Sequence, residues 1–124
     1  MAHAPTVQQL LLEEALTMRR ICQLVGVKPE AVAEYERIHA AVWPEVLATI
    51  HACNIRNYTI FRHGDTLMAY FEYTGNDYRA DAAKIAADPK MQEWWRITDS
   101  MQMPLAGHEK GAWWLEIPEV FHVD

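Results

Sequence analysis

Cysteine is scarce in this chain: of 124 residues, only Cys22 and Cys53 carry thiols. Two isolated thiols make no disulfide framework, and neither sits in a CxxC pair, so both are expected to be reduced and packed, as in a cytoplasmic protein. Glycine is equally thin, five scattered residues, which leaves no glycine-rich loop to cradle a phosphate. A G-x-S-x-G element, the mark of a serine hydrolase, is missing. No stretch approaches the roughly eighteen uninterrupted apolar residues of a membrane span. Positive charge is in deficit, with 11 Lys and Arg against 17 Asp and Glu and a formal net charge of −6. That balance disfavours nucleic acid, which needs a basic face, and an electrostatic membrane anchor. It suits a neutral substrate without selecting one.

Hydrophobic residues make up 51% of the chain, enough for a real core and too many for a disordered segment. The length is that of one domain. Residues 1–17, MAHAPTVQQLLLEEALT, lack a basic start and a sufficient apolar run, so they do not read as a signal peptide. They form an N-terminal extension, with residues 18–124 as the single domain and Met18 as a candidate initiation site.

Periodicity orders the domain. Arg20–Val27 alternates as a first strand. Lys28-Pro29-Glu30 opens a helix in which Val32, Tyr35, Ile38, His39 and Val42 share one face. Trp43-Pro44 marks a break, and Asn54 is a plausible left-handed helix end. Arg56–Phe61 and Thr66–Tyr73 flank the turn Arg62-His63-Gly64-Asp65, a hairpin. Asn76 or Asp77 caps a helix to about Ala87, and Asp88-Pro89 starts another that carries Trp94 and Trp95 and fades near Met103-Pro104. Trp113–Val123 reads as a final strand interrupted by Pro118. The order β-α-β-β-α-β predicts an α+β protein with an antiparallel, ferredoxin-like sheet and helices on one face. Aromatic residues on the strands (Tyr58, Phe61, Tyr70, Phe71, Tyr73) suggest that the second face is covered too, conceivably by a second copy of the chain.

Chemistry gathers at two places. Tyr35 and His39, four residues apart, lie on one helical face and bring a phenol and an imidazole within reach of one small polar ligand. Histidine titrates nearest to neutral pH, so His39 is the best acid–base candidate. The competing reading is an aromatic core stripe with a backbone-bonded histidine. Trp94 and Trp95 point about 100° apart on a helix, so one indole can pack inward while the other lines a cleft. Indole faces suit the C–H faces of sugars, though two tryptophans also serve as bulk. His51 and His63 have no metal-ligand spacing with each other or with His39, and His3, His108 and His122 have no obvious partners.

Together, Glu34-Tyr35-x-x-x-His39-x-x-x-Trp43-Pro44-Glu45, Asn57-Tyr58-x-Ile60, Trp94-Trp95 and Glu119-Val120-Phe121-His122 resemble the L-rhamnose mutarotase family, from about Arg19 to the C-terminus. The resemblance implies a homodimeric α+β barrel, with the sheets of two chains meeting. It implies His39 as the acid–base residue, and sugar contacts from Tyr35, Tyr58, Trp94 and Trp95. The implied reaction interconverts the α and β anomers of a 6-deoxy-L-sugar, L-rhamnose or L-fucose, by ring opening and closure. Such a reaction changes no oxidation state and expels no leaving group, so neither metal nor other cofactor is expected. His39 is read as proton donor to the ring oxygen; Tyr35 and Tyr58, with phenol pKa values near 10, fit hydroxyl binding better than base catalysis. Many family members carry an Asn-Pro-Asp-Asn-Ser-like segment where this chain reads Pro104 to Trp114, which bears on the identity of the sugar. Two other readings stand beside this one: a cofactor-free or haem-degrading monooxygenase of the same fold, and a non-catalytic sugar-binding module.

Overall fold

The computed structural model describes residues 18–106, 108 and 113–124; the expectations for residues 1–17 lie outside them. In chain order these residues form β1 (Arg19–Val27), a 3-10 turn (Pro29–Ala31), α1 (Val32–His39), α2 (Pro44–Ala52), β2 (Ile55–His63), β3 (Thr66–Tyr73), α3 (Tyr78–Ala87), α4 (Pro89–Met101), β4 (Gln102–Met103) and β5 (Leu115–Ile117). The sheet is antiparallel in the order β2-β3-β1-β4, with β5 also on β1.

Alternation drives this sheet. Along β3, Leu67, Ala69, Phe71 and Tyr73 are buried, while the residues between them are more exposed. Opposite them on β1, Val25 pairs Leu67 and Ile21 pairs Phe71. These residues make the core with Val27, Tyr35 and Ile55, and partly buried Val32, Ile50, Tyr78, Ile85 and Met101 come down from the helical layer. Each fully buried aliphatic side chain contributes about 1.5–3 kcal/mol. A third packed group, Val46, Met91 and Trp94, joins α2 to α4.

The helix boundaries follow local chemistry. The Asp77 side chain accepts from the Ala80 N–H at 3.1 Å, and that of Asp88 accepts from the Met91 N–H at 2.9 Å. Pro44 and Pro89 each occupy a first helical turn, where no N–H partner is lost. Trp43, extended ahead of Pro44 (φ −58°, ψ 135°), separates α1 from α2. Asn54 takes φ 67° after α2, the left-handed helix end read from the sequence. A buried carboxylate ties this corner down: Tyr73 Oη donates to Asp81 Oδ2 at 2.5 Å and Asn54 Nδ2 donates to the same oxygen at 3.0 Å.

Two features differ from the sequence reading. The final strand is not continuous over Trp113–Val123. Its place along β1 is shared by β4, opposite Gly26–Val27, and β5, opposite Cys22–Leu24. Gly26 permits the first contact, since a Cβ there would meet the Met103 carbonyl oxygen at 2.9 Å. Pro118 ends the second by removing a ladder donor. The strand aromatics also divide between faces. Phe71 and Tyr73 are buried in the core, whereas Phe61 and Met68, cross-strand partners, are 59% and 41% exposed. Partly buried Cys22, Leu24, Tyr70, Leu115 and Ile117 share that second face by register.

Candidate functional site

Helical spacing brings Tyr35 and His39 together as read from the sequence. Their rings stack with centroids 4.1 Å apart, and the edge of Trp94 meets His39 at 5.3 Å. His39 Nδ1 lies 2.6 Å from the Tyr35 carbonyl oxygen. A carbonyl only accepts, so Nδ1 carries the hydrogen. Burial holds the His39 pKa below its ordinary 6.5, against the opposing pull of that backbone bond. The ring is therefore neutral at pH 7, and Nε2 presents a lone pair; among the described residues no hydrogen bond engages it.

Tyr35 is 4% exposed. Burial raises the pKa of its phenol, Gln102 opposes this by donating to the oxygen, and the negative charge of Asp99 raises it further. Gln102 Nε2 donates to Tyr35 Oη at 3.1 Å, and Trp113 Nε1 donates to Gln102 Oε1 at 2.9 Å. Neither Gln102 nor Trp113 emerged from sequence reasoning as a site residue. Gln102 stands between two methionines at the end of α4, 67 positions from Tyr35 in sequence, and its one signal is a polar residue in an apolar run.

A register irregularity aims Tyr58. Between the pairs Arg56–Glu72 and Thr59–Tyr70, two residues of β2, Asn57 and Tyr58, oppose the single Phe71. Asn57 takes φ 51° as the extra residue and donates through Nδ2 to Glu72 Oε1 at 2.7 Å. Without it, alternation would send Tyr58 to the opposite face of the sheet. With it, Tyr58 stacks on core residue Phe71 at 5.5 Å. Tyr58 is 44% exposed as a whole, yet burial drives its phenol pKa strongly upward, with Tyr35 and Tyr78 as electrostatic neighbours.

The two tryptophans separate. Trp94 shares the inward stripe of α4 with Met91 and Thr98 and is 6% exposed. It also meets Trp43 edge-on at 5.2 Å, so Trp43 anchors the wall from behind. Trp95 is 37% exposed and has no aromatic partner among the described residues. Asp99 follows on α4, where burial raises its carboxyl pKa. A groove of about 340 Å³ between α1 and α4 is lined by Glu34, Arg37, Ile38, Ala41, Trp43, Trp94 and Ile97. It contains none of Tyr35, His39 and Tyr58; of the site residues read from the sequence only Trp94 lines it. Among the described residues, no three His, Cys, Asp or Glu side chains gather to hold a metal. No described helix is long and apolar enough to cross a membrane.

Comparison with known proteins identifies the lineage. The family model for L-rhamnose mutarotase matches residues 20–123. An L-fucose mutarotase of Xanthomonas campestris pv. campestris is 36% identical over 112 residues, covering 86% of this chain and 89% of that protein. An L-rhamnose mutarotase of Opitutus terrae is 33% identical over 107 residues, covering 86% of this chain and all of the relative. Among solved structures, an L-rhamnose mutarotase from Formosa agariphila superposes with a TM-score of 0.68 at 17% identity, covering 86% of this chain and 99% of that one. Tetracenomycin F2 cyclase from Streptomyces glaucescens superposes with a TM-score of 0.61 at 16% identity over the same shares. At those identities the superpositions bear on the fold, and both agree with the α+β arrangement. The family match and the similarity of the relatives settle the lineage: this chain belongs to the L-rhamnose mutarotase family.

Proposed function

We propose that this chain is a mutarotase that interconverts the α and β anomers of a 6-deoxy-L-hexose at the Tyr35–His39–Tyr58 site. One observation carries the mechanism: Nδ1–H of a neutral, half-buried His39 is held by the Tyr35 carbonyl, leaving Nε2 as an acceptor. Nε2 takes the proton of the anomeric hydroxyl while the ring oxygen gains one, and the C1–O5 bond opens to the aldehyde. Rotation about C1–C2 presents the other face of the carbonyl, and the transfers reverse as the ring recloses. His39 thus begins as base and returns the proton as imidazolium, the reverse of the opening role read from the sequence. The proton for the ring oxygen comes from a second group, for which the Asp99 carboxyl, an electrostatic neighbour of Tyr35, is the proposed partner. Tyr35 and Tyr58, both with raised pKa values, stay protonated and bind hydroxyls. In this reading Trp94 forms an apolar wall, and Trp95, more exposed on α4, contacts the sugar from the solvent side.

The same family reading supports a homodimer through the open sheet face. Phe61 and Met68, cross-strand neighbours, are exposed there, an adjacent apolar pair that a second copy would cover. Free Cys22 and Cys53 suit a reducing cytoplasm.

The test is anomer exchange followed by saturation-transfer NMR on separate L-rhamnose and L-fucose samples. Acceleration of one sugar, abolished in His39→Ala, supports the reading and names the substrate. No acceleration of either sugar overturns it.

A further inference from the structure

We infer that Gln102 and Trp113 are positioning residues that fix the Tyr35 phenol as a hydrogen-bond donor toward the sugar, an assignment that rests on Tyr35 being a sugar contact. Trp113, 41% exposed, presents an indole N–H, which can only donate. The group 2.9 Å from it must therefore be the Gln102 oxygen, and this orients an amide whose two ends are otherwise interchangeable. The Gln102 NH₂ is then the end that faces Tyr35 Oη at 3.1 Å, and the phenol oxygen accepts. Its own hydrogen must point elsewhere, and no acceptor for it is found among the described residues. Gln102 is 4% exposed and Tyr35 equally so, so water does not compete easily with this polarity. A phenol hydrogen-bonded to a carboxylate would instead spend its proton on that partner and meet the sugar as an acceptor; Asp99 is an electrostatic neighbour of Tyr35, but among the described residues it makes no hydrogen bond to the phenol.

The polarity can be inverted by a nearly isosteric change. In Gln102→Glu a carboxylate accepts from both Trp113 and Tyr35, withdrawing the phenol hydrogen from the sugar. Trp113→Phe keeps the ring, removes the N–H and frees the Gln102 amide to turn over. The experiment measures kcat and KM for anomer exchange in both variants, each made in the wild-type and Tyr35→Phe backgrounds. Gln102→Glu is expected to lower kcat/KM about tenfold in the wild-type background, the scale of one lost hydrogen bond with a polar group left unpaired. Trp113→Phe is expected to act in the same direction by a smaller factor, and it keeps the question answerable if Gln102→Glu does not fold. Neither should lower kcat/KM further in Tyr35→Phe, because the group through which they act is gone. Losses that are the same in both backgrounds, or no loss in either, overturn the relay while leaving the Tyr35 contact standing. Tyr35→Phe with wild-type kinetics instead removes the sugar contact on which the relay depends.

Discussion

His39→Ala removes one imidazole, its 2.6 Å hydrogen bond to the Tyr35 carbonyl, and its packing on Tyr35 and Trp94. The hydrogen bond is worth about 0.5–1.5 kcal/mol, and truncating a half-buried ring adds on the order of 1–2 kcal/mol. A total of about 1.5–3.5 kcal/mol, set against a domain stability of about 5–15 kcal/mol, leaves at most about 7% of chains unfolded. Loss of a positioned base costs about 10²–10⁴-fold in rate, so unfolding cannot imitate the chemical defect. The wild-type pH profile sharpens the test. The base form of His39 is the active form, so activity is present above its pKa in the fold and lost as pH falls through it. Burial depresses that pKa below 6.5, so the acid limb of kcat/KM is expected below 6.5. Saturation-transfer NMR across the acid and neutral range reads both quantities in one series, with the uncatalysed exchange subtracted at each pH. An acid limb at or above 6.5, or a His39→Ala rate within a small factor of wild type, refutes the assignment of Nε2 as the base.

Other outcomes follow from the same geometry. Asp99→Asn keeps the shape and removes the titratable carboxyl; kcat for anomer exchange is expected to fall about 10²-fold with KM little changed, and an unchanged kcat removes Asp99 from the mechanism. Phe61→Glu with Met68→Lys places charges on the open sheet face, and sedimentation velocity is expected to show a dimer becoming a folded monomer; a wild-type monomer ends the dimer proposal. Asp81→Asn should lower the urea midpoint at neutral pH, since the carboxylate accepts from Tyr73 and Asn54. Those hydrogen bonds hold the Asp81 pKa below 3.8, so its stabilisation is present above that value and lost as pH falls through the lower pKa in the fold. Wild type should therefore lose its advantage over Asp81→Asn in acid, and an advantage independent of pH contradicts the linkage.

The sequence alone determined the local architecture. Four-residue spacing set Tyr35 over His39, Asn76-Asp77 and Asp88 announced helix starts, with Asp77 the cap in the fold, Asn54 a helix end, and Gly64 (φ 58°) a hairpin turn. Each depends on chemistry within about one helical turn, which a linear pattern displays. Motifs in combination also carried the family resemblance. Tertiary structure decided the rest. The rotation of Trp94 inward and Trp95 outward required a neighbouring α2 and Trp43 to pack against. The aim of Tyr58 depended on how Asn57 is accommodated opposite Phe71, a matter of register between two strands that no single strand specifies. The fourth strand divided because α4 ends against Gly26 while the later segment meets β1 farther along. The Trp113–Gln102–Tyr35 chain joins residues up to 78 positions apart through hydrogen bonds whose direction exists only once all three are in place. Short-range rules fix backbone dihedrals one turn at a time, whereas the polarity of a buried phenol is set by whichever distant groups the closed fold brings against it.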